Sequence, residues 1–215
     1  MYVATYSDRN SCIAISGLGS HPFGSWQPKG GENKSWMWVR DALPNALPPV
    51  RAVLFGYNTT LAGSNSFKSV AHLASSLSDT LKASGFGTPA SKPLIFLAHS
   101  LGGIIVKEAL AASASSDSRR PILQQTAGAV FFGAPTRGME TQALVTMVSG
   151  QPNAGLIRDL AIRSEYLRCL EDRFFDVATE GRMKLFWAFE TKTSPTVAVS
   201  ATTHWLRFAR QADFL

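Results

Sequence analysis

Cysteine is scarce in this chain of 215 residues: Cys12 and Cys169 are the only two. Without a paired spacing they supply neither a disulfide framework nor a zinc site. Buried free thiols in a reducing compartment are the plain expectation, and the cytosol is the default location. No apolar run approaches the roughly 18 residues of a membrane-spanning helix. The opening sixteen residues lack a basic segment leading into an apolar stretch, so no secretory leader is read there. Internal repeats, low-complexity tracts and interdomain linkers are missing as well. The four histidines are not at ligand spacing and no carboxylate cluster accompanies them, so no metal is expected. Paired carboxylates for glycoside cleavage are unmarked. Neither glycine pattern that cradles a phosphate or a dinucleotide follows a strand, so no cofactor is expected. No basic stripe with interleaved aromatics is present, which excludes nucleic acid as the expected partner.

What remains describes a globular protein. The apolar content is 45% and mean hydropathy is +0.03, values of a soluble chain that can bury a real core in a single domain spanning residues 1–215. Net charge is +6, with the basic residues scattered. Arg158, Arg163, Arg168 and Arg173 recur every five residues, a spacing that does not line one helical face. A solvated surface is the first reading. Peripheral contact with an anionic membrane, or a taste for acidic substrates, is the second. Oligomeric state is left open.

Short apolar runs alternate with helical patterns, the signature of a mainly parallel sheet with crossover helices on both faces. Six strands are expected: 12–17, 52–57, 94–98, 128–133, 184–189 and 196–200. Their near-continuous hydrophobicity suits strands buried on both sides. Trp36, Val39 and Leu43 mark a helix that Pro44 should end. Phe67, Val70, Leu73, Ala74, Leu77 and Leu81 mark another, with Gly85 as its stop. A third runs from Ile104 to Ala112. The stretch 141–180 is helical in pattern and is a candidate lid or cap.

The strongest chemical signal is Ala98-His99-Ser100-Leu101-Gly102, a nucleophile elbow of the α/β-hydrolase fold with Ala in place of the first Gly. The nucleophile of such an elbow has a strained backbone between strand and helix, so its neighbours at −2 and +2 must be small. The helix that follows aims its N-terminal dipole at the reacting centre, where negative charge develops during acyl transfer. A small-residue turn could arise by chance, but here an apolar strand precedes it and an apolar-periodic helix follows. The second signal is Ser16-Gly17-Leu18-Gly19-Ser20-His21-Pro22, directly after the first strand. In this fold that loop supplies one backbone N–H of the oxyanion hole and the residue after the nucleophile supplies the other. Leu18 and Leu101 are therefore the expected donors. A glycine-rich turn that merely closes the strand is the bland alternative. His21, Phe23 and Trp26 are candidate pocket residues.

Further motifs extend this pattern. Gly17-Leu18-Gly19, Trp26, Trp38-Val39-Arg40-Asp41 and Leu43-Pro44 come first. Phe55-Gly56-Tyr57, the stretch Phe96 to Gly103, and Phe131-Phe132-Gly133-Ala134-Pro135 follow. Over residues 10–208 the chain resembles the lipase-like hydrolase domains at the N-termini of fungal NACHT/NLR-type proteins. Those domains are related to phosphatidylglycerol-remodelling serine hydrolases and to GPI inositol-deacylases. The resemblance implies a Ser–acid–His site acting on an ester or lipid, often as the effector part of a larger receptor. Two positions depart from the family pattern: Ser16 stands where His is usual, and Thr136 where the family has His. The segment before the last His is also short, with residues 191–203 alone between Glu190 and His204.

In this fold the triad follows the order Ser, then Asp or Glu, then His. His204 is the only histidine after the sixth expected strand and is the candidate base; a histidine that opens a terminal helix is the alternative. His99 adjoins Ser100 and cannot turn its ring onto the same hydroxyl, and His72 falls in a helix. Glu190, at the end of the strand before last, is the candidate acid, and the resemblance places a Glu there. A strand-end charge reaching water is its alternative, and Asp176 and Asp159 are the reserves. The reading is a serine hydrolase cleaving a carboxylic ester of a small molecule or lipid through Ser100, His204 and Glu190. A catalytically impaired signalling or interaction module with the same fold is the rival. A thioesterase or lyase of secondary metabolism would keep the same site.

Overall fold

A computed structural model of the chain describes residues 10–28, 35–47, 50–58 and 60–189. The expected sixth strand at 196–200, Glu190 and His204 lie outside the described residues. Five strands are described: β1 (Asn10–Ile15), β2 (Val50–Phe55), β3 (Leu94–His99), β4 (Thr126–Phe132) and β5 (Lys184–Ala188). They form one sheet in the order β2-β1-β3-β4-β5, and every neighbouring pair is parallel. Each starts or ends within two residues of its expected run. The chain builds outward from β1 to β2, then returns to the other side of β1 for β3. The carboxyl ends of β1 and β3 therefore flank the point where strand order reverses, which is where open α/β sheets bind ligands.

Strand alternation divides two cores. Ile13 and Ile15 of β1, Leu94, Phe96 and Ala98 of β3, and Ala129 and Phe131 of β4 face one side. That side is covered by α3 (Val70–Ala83), α4 (Leu101–Ala114) and α8 (Glu165–Glu180). Cys12, Ala14 and Leu97 face the other, beneath Trp26, Met37 and Val39. Within the described residues β5 is an edge strand, and it departs from the expected two-sided burial: Phe186 and Trp187 are exposed.

Several helical expectations need correction. Pro44 does not end a helix: α1 (Trp38–Asp41) stops at Ala42, and Pro44 sits in the first turn of α2 (Leu43–Ala46), where its missing N–H costs nothing. Phe67 lies outside α3 and is exposed, because Ser69 caps the helix and exchanges hydrogen bonds with His72. The short α5 (Arg120–Gln125), with Pro121 in its first turn, was not expected. The stretch 141–180 breaks into α6 (Gln142–Met147), α7 (Ala154–Asp159) and α8. Gly150 and Arg163, both at positive φ, make the breaks. Cys12 is buried as expected but Cys169 is exposed.

α4 is buried along nearly its whole length, charged residues included. Lys107, 1% exposed, donates to both Glu171 oxygens of α8 at 2.7 and 2.8 Å. Its ammonium also lies over the rings of Phe131 and Phe174. One residue on, Glu108 accepts from Arg173 at 2.7 Å and from Tyr166 at 2.8 Å. Two charges that would be costly alone are thus paired across α4 and α8.

Candidate active site

β3 ends at His99 and α4 begins at Leu101, so Ser100 makes the entire turn between them. Its φ of 52° and ψ of −124° lie in a region that side chains avoid. Holding a serine there costs of order 1–3 kcal/mol, a strain the surrounding structure must over-determine. Two hydrogen bonds and a buried neighbour do so. The Ser100 N–H donates to the Phe132 carbonyl at the end of β4 at 2.8 Å, and its own carbonyl accepts from Gly103 at 2.9 Å. Below it Ala98 is fully buried.

The glycines of the elbow are required by contact. A Cβ on Gly102 would stand 2.7 Å from the Ile15 carbonyl and 2.8 Å from that of Ser16. On Gly103 it would stand 2.5 Å from the Ala134 Cβ. Their absence lets the first turn of α4 seat directly on the end of β1 and on the loop after β4. Gly17, the first residue of the loop after Ser16, approaches from the other side; its Cβ position is 2.7 Å from the Ser100 Cβ and 3.2 Å from Oγ. The loop that carries Leu18 therefore lies against the Ser100 side chain. Leu101 is the first residue of α4, so its N–H has no acceptor within the helix. The dipole of this 14-residue helix points its positive end at Ser100. A hydroxyl at the N-terminus of a helix, next to the unsatisfied Leu101 N–H, is suited to attack on a carbonyl and to stabilisation of the resulting oxyanion.

The candidate pocket residues take separate places. His21 is exposed, and its Nδ1 accepts from the N–H groups of Phe23 and Gly24, at 3.2 and 3.3 Å, so that nitrogen closes the turn at 21–24. Phe23 is half-buried beneath the Arg40 guanidinium, 5.2 Å from the ring centre. Trp26 is 4% exposed and meets Trp38 and Phe132 edge-on. Its ring is part of the second core. The Trp38-Val39-Arg40-Asp41 motif is thereby accounted for: Trp38 and Val39 pack, while Asp41 accepts from the Met37 N–H at 2.7 Å and pairs with Arg40. Those bonds hold the Asp41 carboxyl below its ordinary range.

Of the reserve acids, Asp176 lies on the exposed side of α8. Asp159 is at the end of α7; burial raises its pKa, with Arg158 opposing. Its charge helps to raise the pKa of Tyr166 on α8, whose hydroxyl donates to Glu108 of α4. No group of side chains among the described residues could hold a metal ion, and none of their helices is long and apolar enough to cross a membrane. Two surface depressions, of about 680 and 310 Å3, lie along the outer face of α3 and between α4, α5 and α8. Neither is lined by Ser100 or by the loop after β1.

Sequence reasoning missed two features of this region. Ser16 is fully buried, and among the described residues its hydroxyl has no hydrogen-bond partner. Tyr57, quoted above only within a motif, donates from its hydroxyl to the Ser16 carbonyl at 2.8 Å. The positions are 41 apart in sequence, and only the parallel pairing of β1 with β2 brings them together.

No family model matches the chain. Among curated proteins it is similar to Protein SERAC1. The mouse protein is 24% identical over 161 residues, covering 72% of this chain and 24% of that one. For the zebrafish protein (Danio rerio) the identity is 27% over 169 residues, covering 74% and 25%. For the human protein it is 23% over 197 residues, covering 83% and 30%. The chain thus spans about a quarter of the length of these relatives. Among solved structures, phospholipase PlaB from Legionella pneumophila superposes with a TM-score of 0.59 at 13% identity, covering 83% of this chain and 37% of that one. With the parallel sheet, its flanking helices and the strand–turn–helix at Ser100, this makes the fold an α/β-hydrolase fold.

Proposed function

We propose that the chain is a serine hydrolase that cleaves a carboxylic ester of a small molecule or lipid. Ser100 is the nucleophile, His204 the base, Glu190 its orienting acid, and the N–H groups of Leu18 and Leu101 the oxyanion donors. The observation that carries this reading is the backbone of Ser100, at φ 52° and ψ −124° on the turn from β3 to α4. A strained serine with glycine packed against it at the switch point of a parallel sheet has no evident packing purpose.

The reaction follows from these roles. Ser100 Oγ attacks the ester carbonyl as His204 takes its proton; the tetrahedral oxyanion lies against the two N–H groups; His204 returns the proton to the departing alkoxide. Water then repeats the sequence on the acyl-enzyme. Strand register supports Glu190 as the acid. Ala188 pairs with Phe132 and Phe132 with His99, so the chain leaves β5 level with the elbow and two strands away. That is a gap of roughly 10 Å at the usual strand spacing, wide enough for an imidazole bonded at both ends. The structural likeness to PlaB, a phospholipase, supports a lipid ester. The motifs support kinship with the effector domains of fungal NACHT/NLR-type proteins and the GPI inositol-deacylases.

The test is a fluorophosphonate probe with a panel of p-nitrophenyl esters of rising chain length. Labelling and turnover should both vanish in Ser100→Ala while the protein stays folded. The orphaned hydroxyl of Ser16, where the resembling family carries His, favours the rival reading of a silent interaction module. A folded wild type that neither labels nor turns over any ester would establish that rival.

A further inference from the structure

Tyr57 stands two residues past the end of β2 and has no part in the roles assigned above. Its ring is partly buried against the main core and stacks on Phe55, with centroids 6.2 Å apart and planes at 26°. Its hydroxyl donates to the Ser16 carbonyl at 2.8 Å. Burial pushes the pKa of this hydroxyl up, so it stays a donor through any pH at which esters are enzymatically cleaved.

The carbonyl it holds is well placed to matter. The Ser16 oxygen is also 2.8 Å from where a Cβ on Gly102 would stand, so it is gripped between the first turn of α4 and Tyr57. The peptide is planar, and fixing that oxygen fixes the plane that enters Gly17. The next peptide carries the Leu18 N–H. Between the two planes stands only Gly17, which restricts its own dihedrals less than any other residue. Sequence thus leaves this joint loose, and packing must lock it from both sides. On one side Gly17 abuts Ser100. On the other, the Ser16 carbonyl is held by the hydrogen bond from Tyr57 and by the first turn of α4.

We propose that Tyr57 is a positioning residue: through the Ser16 carbonyl, its hydroxyl sets the tilt of the Gly17–Leu18 peptide, and so aims the Leu18 N–H at the oxyanion. This inference rests on the serine-hydrolase reading. Tyr57 touches no reacting atom; it acts by holding a donor in place before the charge develops. Outright loss of one oxyanion donor typically costs 10²–10³ in kcat, so a donor left in place but free to tilt should cost about 10- to 30-fold.

The experiment uses the full chain, with Tyr57→Phe to delete the hydroxyl and keep the ring. On a p-nitrophenyl ester, kcat should fall about 10- to 30-fold with KM within about threefold. Affinity for a trifluoromethyl ketone, whose adduct with Ser100 bears the oxyanion, should fall by the same factor as kcat/KM. Affinity for the carboxylic-acid product should not change. Phe55→Leu serves as the control: it removes the stack and leaves the hydroxyl, so it should lower the melting temperature without moving kcat. A Tyr57→Phe enzyme with the wild-type kcat overturns the inference, as does a slowed one that binds the ketone normally. A wild type that neither labels with fluorophosphonate nor turns over esters overturns the hydrolase reading, and this inference with it. Active wild type beside an indifferent Tyr57→Phe overturns this inference alone.

Discussion

Gly17 and Ser100 leave no room for a methyl group between them, since a Cβ on Gly17 would lie 2.7 Å from the Ser100 Cβ. Gly17→Ala must therefore push either the loop after β1 or the elbow out of place. Overpacking of this kind costs typically 1–3 kcal/mol. The same shift moves the Leu18 N–H relative to Ser100 Oγ, and ester turnover should fall at least about a hundredfold, the loss expected of a missing oxyanion donor. A double-mutant cycle isolates the contact: in a Ser100→Gly background, Gly17→Ala should cost about 1 kcal/mol less stability than in wild type. Equal costs in both backgrounds would mean that the two residues do not compete for space.

The strain at Ser100 has its own signature. Glycine tolerates φ 52° where alanine and serine do not, so Ser100→Gly should be more stable than Ser100→Ala by about 1 kcal/mol, after the entropy cost of glycine is subtracted. Urea unfolding of the two inactive variants measures this directly. An alanine variant as stable as the glycine one would show that the turn is relaxed.

The Lys107–Glu171 pair should respond unequally to the loss of either partner. Burial lowers the Lys107 pKa, and the Glu171 carboxylate opposes that shift. Glu171→Gln strands a buried ammonium and should cost about 3 kcal/mol, the low end for a broken buried pair because Glu171 is partly exposed. Lys107→Met replaces the stem by an apolar chain of similar volume between Phe131 and Phe174, and should be neutral or stabilising. The double variant should recover most of the loss. Chemical denaturation of the three variants checks the order, and Lys107→Met as the worst of them would contradict it.

Cys12 and Cys169 should separate by reactivity and by pH. Burial raises the Cys12 thiol from 9.0 to about 12, while Cys169 is exposed. Iodoacetamide at pH 8 should modify the folded protein once, at Cys169. Between pH 9.0 and about 12 the unfolded chain loses the Cys12 proton and the folded chain keeps it. Stability therefore falls as pH rises through that window, by up to about 1.4 kcal/mol per pH unit from this group. Cys12→Ala should flatten that slope between pH 9 and 10; an unchanged slope would assign it to other groups.

How much of this was readable depended on how local the cause was. The five described strands were legible because each is a short apolar run, and the elbow because strain at Ser100 forces small neighbours within two residues. The breaks at Gly150 and Arg163 were not, since the apolar period continues across them. Trp26, a candidate pocket residue by sequence, packs in the second core, because its partners Trp38 and Phe132 are distant in sequence. Lys107 and Glu108 sat unremarked in an apolar helix, because the residues that neutralise them lie 64 and 65 positions away.

The acid of the proposed triad is open to test by substitution. Glu190 follows a strand whose end is in register with Phe132 and His99, whereas Asp159 acts electrostatically on Tyr166, beside Glu108 on the middle of α4. Only a carboxylate at the carboxyl edge of the sheet can hold an imidazole against Ser100, keep it in the productive tautomer and stabilise the imidazolium as it forms. Loss of such an orienter costs about four orders of magnitude in serine proteases. Here water or a neighbouring carboxylate can substitute in part, so Glu190→Gln should slow kcat/KM at least about a hundredfold, or roughly 2.7 kcal/mol of transition-state stabilisation. Asp159→Asn and Asp176→Asn should stay within a few-fold of wild type. His204→Gln should remove the acid limb of the pH–rate profile together with nearly all activity, because a protonated ring cannot accept the Ser100 proton. The measurement is kcat/KM against pH on one activated ester, with circular dichroism to confirm folding. A crippled Asp159→Asn beside a normal Glu190→Gln would move the acid to α7. Full activity in all three carboxylate variants would reduce the site to a Ser–His dyad.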